Sequence, residues 1–170
     1  MTSERYKKIA EWFRARQAAF ACLKGMTSGL TVLVYVSYII LCIWALLKDR
    51  NKAARIIGVP AATYTLGSLA RAMINARRPY EVLDIEPLVP KDTEGKSFPS
   101  RHVFSAGVIA MAFLFVSLPL GIIYTIVALA VAATRILTGV HWFRDVIAGI
   151  AVGFGAGIIG FFTGNKKGLK

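Results

Sequence analysis

Arg135, His141 and Asp145 lie in the segment Arg135-Ile-Leu-Thr-Gly-Val-His141-Trp-Phe-Arg-Asp145, a polar stretch between two long apolar runs. On a helix beginning near His141, Asp145 falls one turn further on and on the same face. A carboxylate so placed holds an imidazole in one tautomer and stabilises its positive form, the orienting role of an acid behind a catalytic histidine. Arg135 would close the preceding apolar helix within reach of the same site. A plainer reading makes Arg135, His141 and Arg144 interfacial residues whose long side chains snorkel at a membrane edge.

Two further segments carry groups of the same kind: Arg71 and Arg78 in one, Ser100 and His102 in the other. Arginine forks match phosphate oxygens bidentately and neutralise the charge of a phosphoryl group in transfer. One histidine can attack phosphorus and form a covalent intermediate, while a second protonates the leaving oxygen. Three arginines, two histidines, a serine and one acid therefore suit a phosphate ester. Neither carboxylates nor histidines cluster at metal-ligand spacing, so the positive charge is expected from the protein itself, with no metal and no cofactor.

Those segments are positioned by apolar runs. Of 170 residues 56% are hydrophobic, and the mean hydropathy of +0.58 is too high for an ordinary soluble domain. The expected fold is all-α: an integral membrane helical bundle with five spans, over 26–47, 56–75, 103–118, 120–134 and 146–163. Arg71 sits inside the second run, where a cation costs roughly 2.5–3.5 kcal/mol and so needs a partner or a task. Pro119 breaks the third run from the fourth. Residues 4–24 read as an amphipathic helix in the interface, with Ile9, Trp12, Phe13, Phe20 and Leu23 on one face. The alternative is that 9–24 crosses as a short sixth helix. On this reading residues 1–25 form the interfacial helix and 26–165 the membrane-embedded domain. The long polar loop 76–101 holds four of the six prolines and five of the nine acids, as expected of a structured, functional connection. The net charge of +12 sits in short basic segments beside apolar spans, which favours anionic lipid over nucleic acid. Cys22 and Cys42 have no pairing or metal spacing and read as packing residues.

Because successive spans alternate direction, all four polar clusters fall on one membrane face, together with both histidines of the chain. Arg71-x6-Arg78-Pro79, Pro99-Ser-Arg-His102 and Arg135-x5-His141-x3-Asp145 resemble the three motifs of the type 2 phosphatidic-acid phosphatase family, which shares its phosphate site with vanadate-dependent haloperoxidases. The resemblance spans about residues 56–163. It implies a helical membrane phosphatase acting on lipid phosphates or diphosphates without a metal. It also implies that His141 is the nucleophile, Asp145 its orienting acid and His102 the general acid. Arg71, Arg78, Ser100 and Arg135 would hold phosphate oxygens. The chain departs from the family at three places. Arg71 stands where Lys is usual, Arg101 replaces a glycine and would narrow or recharge the mouth, and Thr134 replaces a serine. Glycines 149, 153 and 157 extend the stripe of His141 and Asp145, so the catalytic face of the last helix should also be its packing face.

The expected activity is hydrolysis of phosphatidic acid, phosphatidylglycerol phosphate or a polyprenyl diphosphate through a phosphohistidine. The rival class is a lipid-headgroup binder or transporter that keeps the pocket; such a protein needs the arginines but not the His141–Asp145 pair. The partners expected are a lipid phosphate and the bilayer. On the topology two arguments disagree. With five spans, ten basic residues on the side of the site against seven opposite favour the cytoplasm. The compact basic clusters at Lys48–Arg55 and at Lys166, Lys167 and Lys170, a crossing by 9–24 and the resemblance favour a site outside it. The expectation is the latter, in a multi-pass protein of the plasma membrane.

Overall fold

The computed structural model describes residues 3–163. Its elements are α1 (Ser3–Arg14), α2 (Gln17–Lys48), α3 (Arg50–Ile74), the short α4 (Pro79–Val82), α5 (Arg101–Val116), α6 (Leu118–Leu137) and α7 (Phe143–Gly157), which runs on into a π-helical turn, Ile158–Phe162. Lys166, Lys167 and Lys170 lie outside the described residues. The five expected runs become α2, α3, α5, α6 and α7. By length and composition, α2, α6 and the Phe143–Phe162 segment are long and apolar enough to cross a membrane. α2 turns Val32, Ile39, Ile40 and Leu47 outward, an apolar surface suited to lipid and too large for a water-facing helix.

α5 is the axis of the bundle. Its 16 residues rise only about 24 Å. Every residue from Val103 to Phe113 is buried, so its neighbours rather than lipid enclose it. α7 presses against it along the glycine stripe, as the spacing predicts. A Cβ on Gly153 would lie 2.5 Å from the carbonyl oxygen of Phe104, and one on Gly157 would lie 2.4 Å from Cβ of Met111. Only hydrogen at those positions lets the two backbones approach so closely.

Short joints set the helix directions. Asp49 ends α2 and caps α3, its Oδ1 accepting from Asn51 and Lys52 N–H at 3.1 Å each, a regular N-cap. Ser117 separates α5 from α6, and Pro119 occupies the first turn of α6, where its missing N–H costs nothing. Asn75 closes α3 in the left-handed region, and its Oδ1 accepts from Lys96 N–H at 3.2 Å, tying the long loop to the helix that carries Arg71.

The N-terminal segment differs from the expectation. The break falls at Ala15–Arg16, so Phe20 and Leu23 belong to α2 and no helix spans 4–24 or 9–24. No glycine or proline precedes Gly25, and α2 continues through it as one helix of 32 residues. α1 is seated on protein, with Tyr6 and Ala10 buried against Leu23 and Leu88, while Trp12 remains half-exposed beneath Arg16, 4.4 Å from its ring. The Tyr6 hydroxyl donates to Thr138 O at 3.0 Å and accepts from Leu88 N–H at 3.0 Å. The ring also covers Gly139, whose φ of +75° suits glycine and where a Cβ would lie 2.4 Å from the tyrosine. α1 thus braces the turn that leads into His141.

Candidate functional site

Helix ends meet at one face of the bundle around a cavity of about 390 Å³, within the range of small-molecule sites. Arg71 from the last turn of α3, Arg101 and His102 from the first turn of α5, Arg135 from the last turn of α6 and His141 from the α6–α7 turn all line it. The four polar clusters do share one face, as alternating spans require.

The geometry centres on Asp145, which is completely buried. Its Oδ2 accepts from Ser97 Oγ at 2.5 Å and from Trp142 N–H at 3.0 Å, and stands 3.5 Å from His141 Nδ1. Ser97 Oγ also lies 3.3 Å from that nitrogen. The Nδ1 edge of the ring is therefore held by carboxylate and hydroxyl, which leaves Nε2 as the nitrogen available to a ligand. Burial, aided by the charges of Arg78 and Arg71 and opposed by Asp145, pushes the His141 imidazole down to about 4. The ring is then neutral at pH 7, the form with a lone pair to attack an electrophile.

Arg71 and Arg78 are buried and fixed by backbone carbonyls. Arg71 Nη1 donates to Ser97 O and Pro99 O. Arg78 donates through Nε to Gly95 O at 3.0 Å and through Nη1 to Val140 O at 3.3 Å. Each keeps other N–H groups for a ligand. The loop that supplies these carbonyls is itself stitched: Glu81 accepts from Arg78 N–H at 2.6 Å and from Gly95 N–H at 3.0 Å. Arg135 points partly elsewhere, its Nη2 donating to Thr27 O at 3.0 Å and Thr31 Oγ1 at 2.8 Å on α2. Among the described residues its Nε is buried without a partner, a donor left open beside the cavity. Ser100 occupies the N-cap of α5, yet its hydroxyl makes no capping bond and is buried unpaired among the described residues. It is not among the cavity-lining residues. Thr134 uses its hydroxyl on Val131 O at 2.7 Å. Trp142 donates from Nε1 to Arg77 O at 2.9 Å, pinning one loop to another. Among the described residues no three His, Cys, Asp or Glu side chains come together as metal ligands.

Three contributors escaped the sequence reading. Ser97 opens the same run as Ser100 and His102, and that adjacency was the only signal of it. Glu81 acts through backbone contacts without a sequence pattern. Lys91 lines the cavity from the proline-rich loop, and burial followed by the charges of Arg78, Arg135, Arg101 and Arg71 pushes its ammonium down.

A family model described as the PAP2 superfamily matches residues 52–168. The chain belongs to this superfamily. Among solved structures, this PAP2 member resembles Aquifex aeolicus LpxE with 26% identity, a TM-score of 0.68 and 92% of each chain covered. A transmembrane PAP2-type phosphatidylglycerolphosphate phosphatase from Bacillus subtilis shares its fold with a TM-score of 0.70 and 20% identity, over 92% of this chain and 82% of that one. No curated protein sequence matches the chain.

Ser97 tests the geometry. Removing its bond to a buried carboxylate should cost about 1.5–3 kcal/mol, which is about 10- to 160-fold if it falls on the rate step. Ser97→Ala should lower kcat by that factor with KM nearly unchanged, and the protein should still melt cooperatively in detergent. An unaltered kcat would remove Ser97 from the positioning of His141.

Proposed function

We propose that this membrane lipid phosphatase passes the phosphoryl group of its substrate to Nε2 of His141 and then to water. The observation that carries the reading is the His141 ring, fastened at Nδ1 by Asp145 and Ser97 in a cavity lined by arginines. The N–P bond forms as the P–O bond to the lipid breaks, and His102, whose imidazole burial and then the charge of Arg135 push down, gains a proton with the anionic phosphate and gives it to the leaving oxygen. Water then attacks the phosphohistidine with His102 as base, releasing inorganic phosphate and restoring both histidines. Arg71, Arg78 and the open Nε of Arg135 neutralise the phosphoryl oxygens, so the reaction needs no metal. Ser100 stands at the N-cap of α5, where the helix N-terminus favours the phosphate anion. Residues 26–165 carry the chemistry, and the N-terminal helix braces its mouth. Phosphatidic acid, phosphatidylglycerol phosphate and polyprenyl diphosphates are the candidate substrates.

The purified protein should release phosphate from such lipids in excess EDTA, and His141→Ala should reduce the rate by more than about a thousandfold, as loss of a nucleophile does. Release by His141→Ala at near the parental rate, or activity lost in chelator and restored by magnesium, would contradict this mechanism.

The site is proposed to open on the extracytoplasmic face of the plasma membrane. Lys48, Arg50, Lys52 and Arg55 abut the opposite ends of α2 and α3, where the positive-inside rule is strongest. In a background without Cys22 and Cys42, Asp92→Cys should react with a membrane-impermeant maleimide on intact cells. Labelling of Asn51→Cys instead, with Asp92→Cys reacting only after lysis, would invert the topology.

A further inference from the structure

Each arginine assigned to the phosphate needs something to hold it in place. Arg71 and Arg78 are held by loop carbonyls. Arg135 is held differently, by Thr27 and Thr31 on α2, a helix that none of the three motifs reaches. From 26 to 47 that helix is an uncharged apolar run, and hydroxyls in such a run commonly bond back to their own backbone. Thr27 Oγ1 does so, donating to Leu23 O at 2.8 Å, and Ser37 Oγ donates to Leu33 O at 2.6 Å.

Thr31 does more. Its one hydroxyl proton goes to Thr27 O at 3.0 Å, and its oxygen accepts from Arg135 Nη2 at 2.8 Å. The same Thr27 carbonyl accepts from Nη2 at 3.0 Å. Nη2, Thr31 Oγ1 and Thr27 O thus close a triangle of bonds, and Thr31 supplies its only side chain besides the arginine. Thr31 also lines, with Val34, His102 and Val131, a void of only about 10 Å³. That is room for about one water and for no other side chain in place of the hydroxyl. The consequence falls on the rest of the guanidinium. The group is planar and rigid, so holding Nη2 fixes where Nε points. Nε is the atom without a partner among the described residues, in a residue that lines the cavity. A loose arginine would have to be ordered each time a phosphate bound, whereas one fixed beforehand meets the phosphate without that cost.

We propose that Thr31 is a positioning residue of the phosphate site: its hydroxyl holds Arg135 Nη2 on α2 so that the rest of the guanidinium meets the scissile phosphate. This rests on the phosphatase reading of the same site and adds to it a residue outside the three motifs. It also gives α2 a part in the chemistry, because a helix that turns an apolar face outward carries at Thr31 the support for a charge on α6. The scissile phosphate is common to every candidate lipid, so Thr31 serves all of them alike. A residue that touched the body of the lipid would instead discriminate among them.

The test is steady-state hydrolysis in detergent of phosphatidic acid, phosphatidylglycerol phosphate and a prenyl diphosphate, with orthovanadate as an inhibitor that presents the pentacoordinate geometry of the transition state. Thr31→Val keeps the shape of the side chain and removes the acceptor. It should lower kcat/KM about tenfold, the effect of losing one bond to a charged group, and by a similar factor on every lipid the parent hydrolyses. Inhibition by orthovanadate should weaken about fivefold or more. Thr31→Ser restores the hydroxyl and should bring kcat/KM back to within about threefold of the parent. Ser37→Ala removes a hydroxyl bonded to its own helix and should change neither reading. If Thr31→Val does not melt cooperatively, Thr31→Ala carries the same comparison. Unchanged kcat/KM and orthovanadate inhibition in Thr31→Val, a Thr31→Ser protein as impaired as Thr31→Val, or a loss confined to one lipid would overturn the role of Thr31 while leaving the phosphatase reading intact. A parent that releases phosphate from none of the three lipids would overturn that reading and this role with it.

Discussion

The carboxylate of Asp145 lies where water cannot reach it, and a charge so buried costs several kcal/mol unless other groups replace its hydration. At Oδ2 two segments supply those groups. Ser97 comes from the long loop, and the Trp142 amide and His141 come from the turn before α7. Each contact that lowers the cost of burying the acid also fixes a piece of chain. The loop closes on α7 because Ser97 must reach Asp145. Its carbonyls then face Arg71, so the arginine deepest in its helix is anchored by the strand of loop that the acid holds.

Packing makes this arrangement stiff. The stripe of Gly149, Gly153 and Gly157 sets α7 on the backbone of α5, and the Ser100 amide donates to Asp145 O at 2.9 Å where the two helices begin. His102 and His141 are thus carried by two elements that cannot slide independently. On the far side of His141, Tyr6 fills the space over Gly139 and bonds Thr138, so the turn is held from the N-terminal helix as well. The catalysis proposed for them, by a proton donor and a nucleophile on separate elements, demands such rigidity, because a misplacement of about 1 Å can cost a hundredfold in rate.

Much of this was legible in the residues. Apolar runs of spanning length with polar groups at alternate ends place Arg71, His102, Arg135 and His141 on one face by topology alone, and the three-residue gap from His141 to Asp145 identifies the acid. The spacing of the glycines gave the packing face of α7 before any contact was known. What escaped depends on tertiary closure. Ser97 and Lys91 reach the centre only because a proline-rich loop folds back, and no periodicity governs that path. The direction of Arg135 was not readable either, since Thr27 and Thr31 are more than a hundred residues away in sequence. α1 has the pattern of an interfacial helix, but Tyr6, which decides its seat, carries no amphipathic signal of its own.

The stereochemistry at phosphorus reads the proposed covalent relay through His141 directly. Each in-line displacement inverts the phosphorus. A lipid thiophosphate made chiral with oxygen isotopes, hydrolysed by the purified protein in isotopically labelled water, should therefore give inorganic thiophosphate with overall retention. Inversion would mean that water attacks the substrate in a single step, and it would contradict the role assigned to His141.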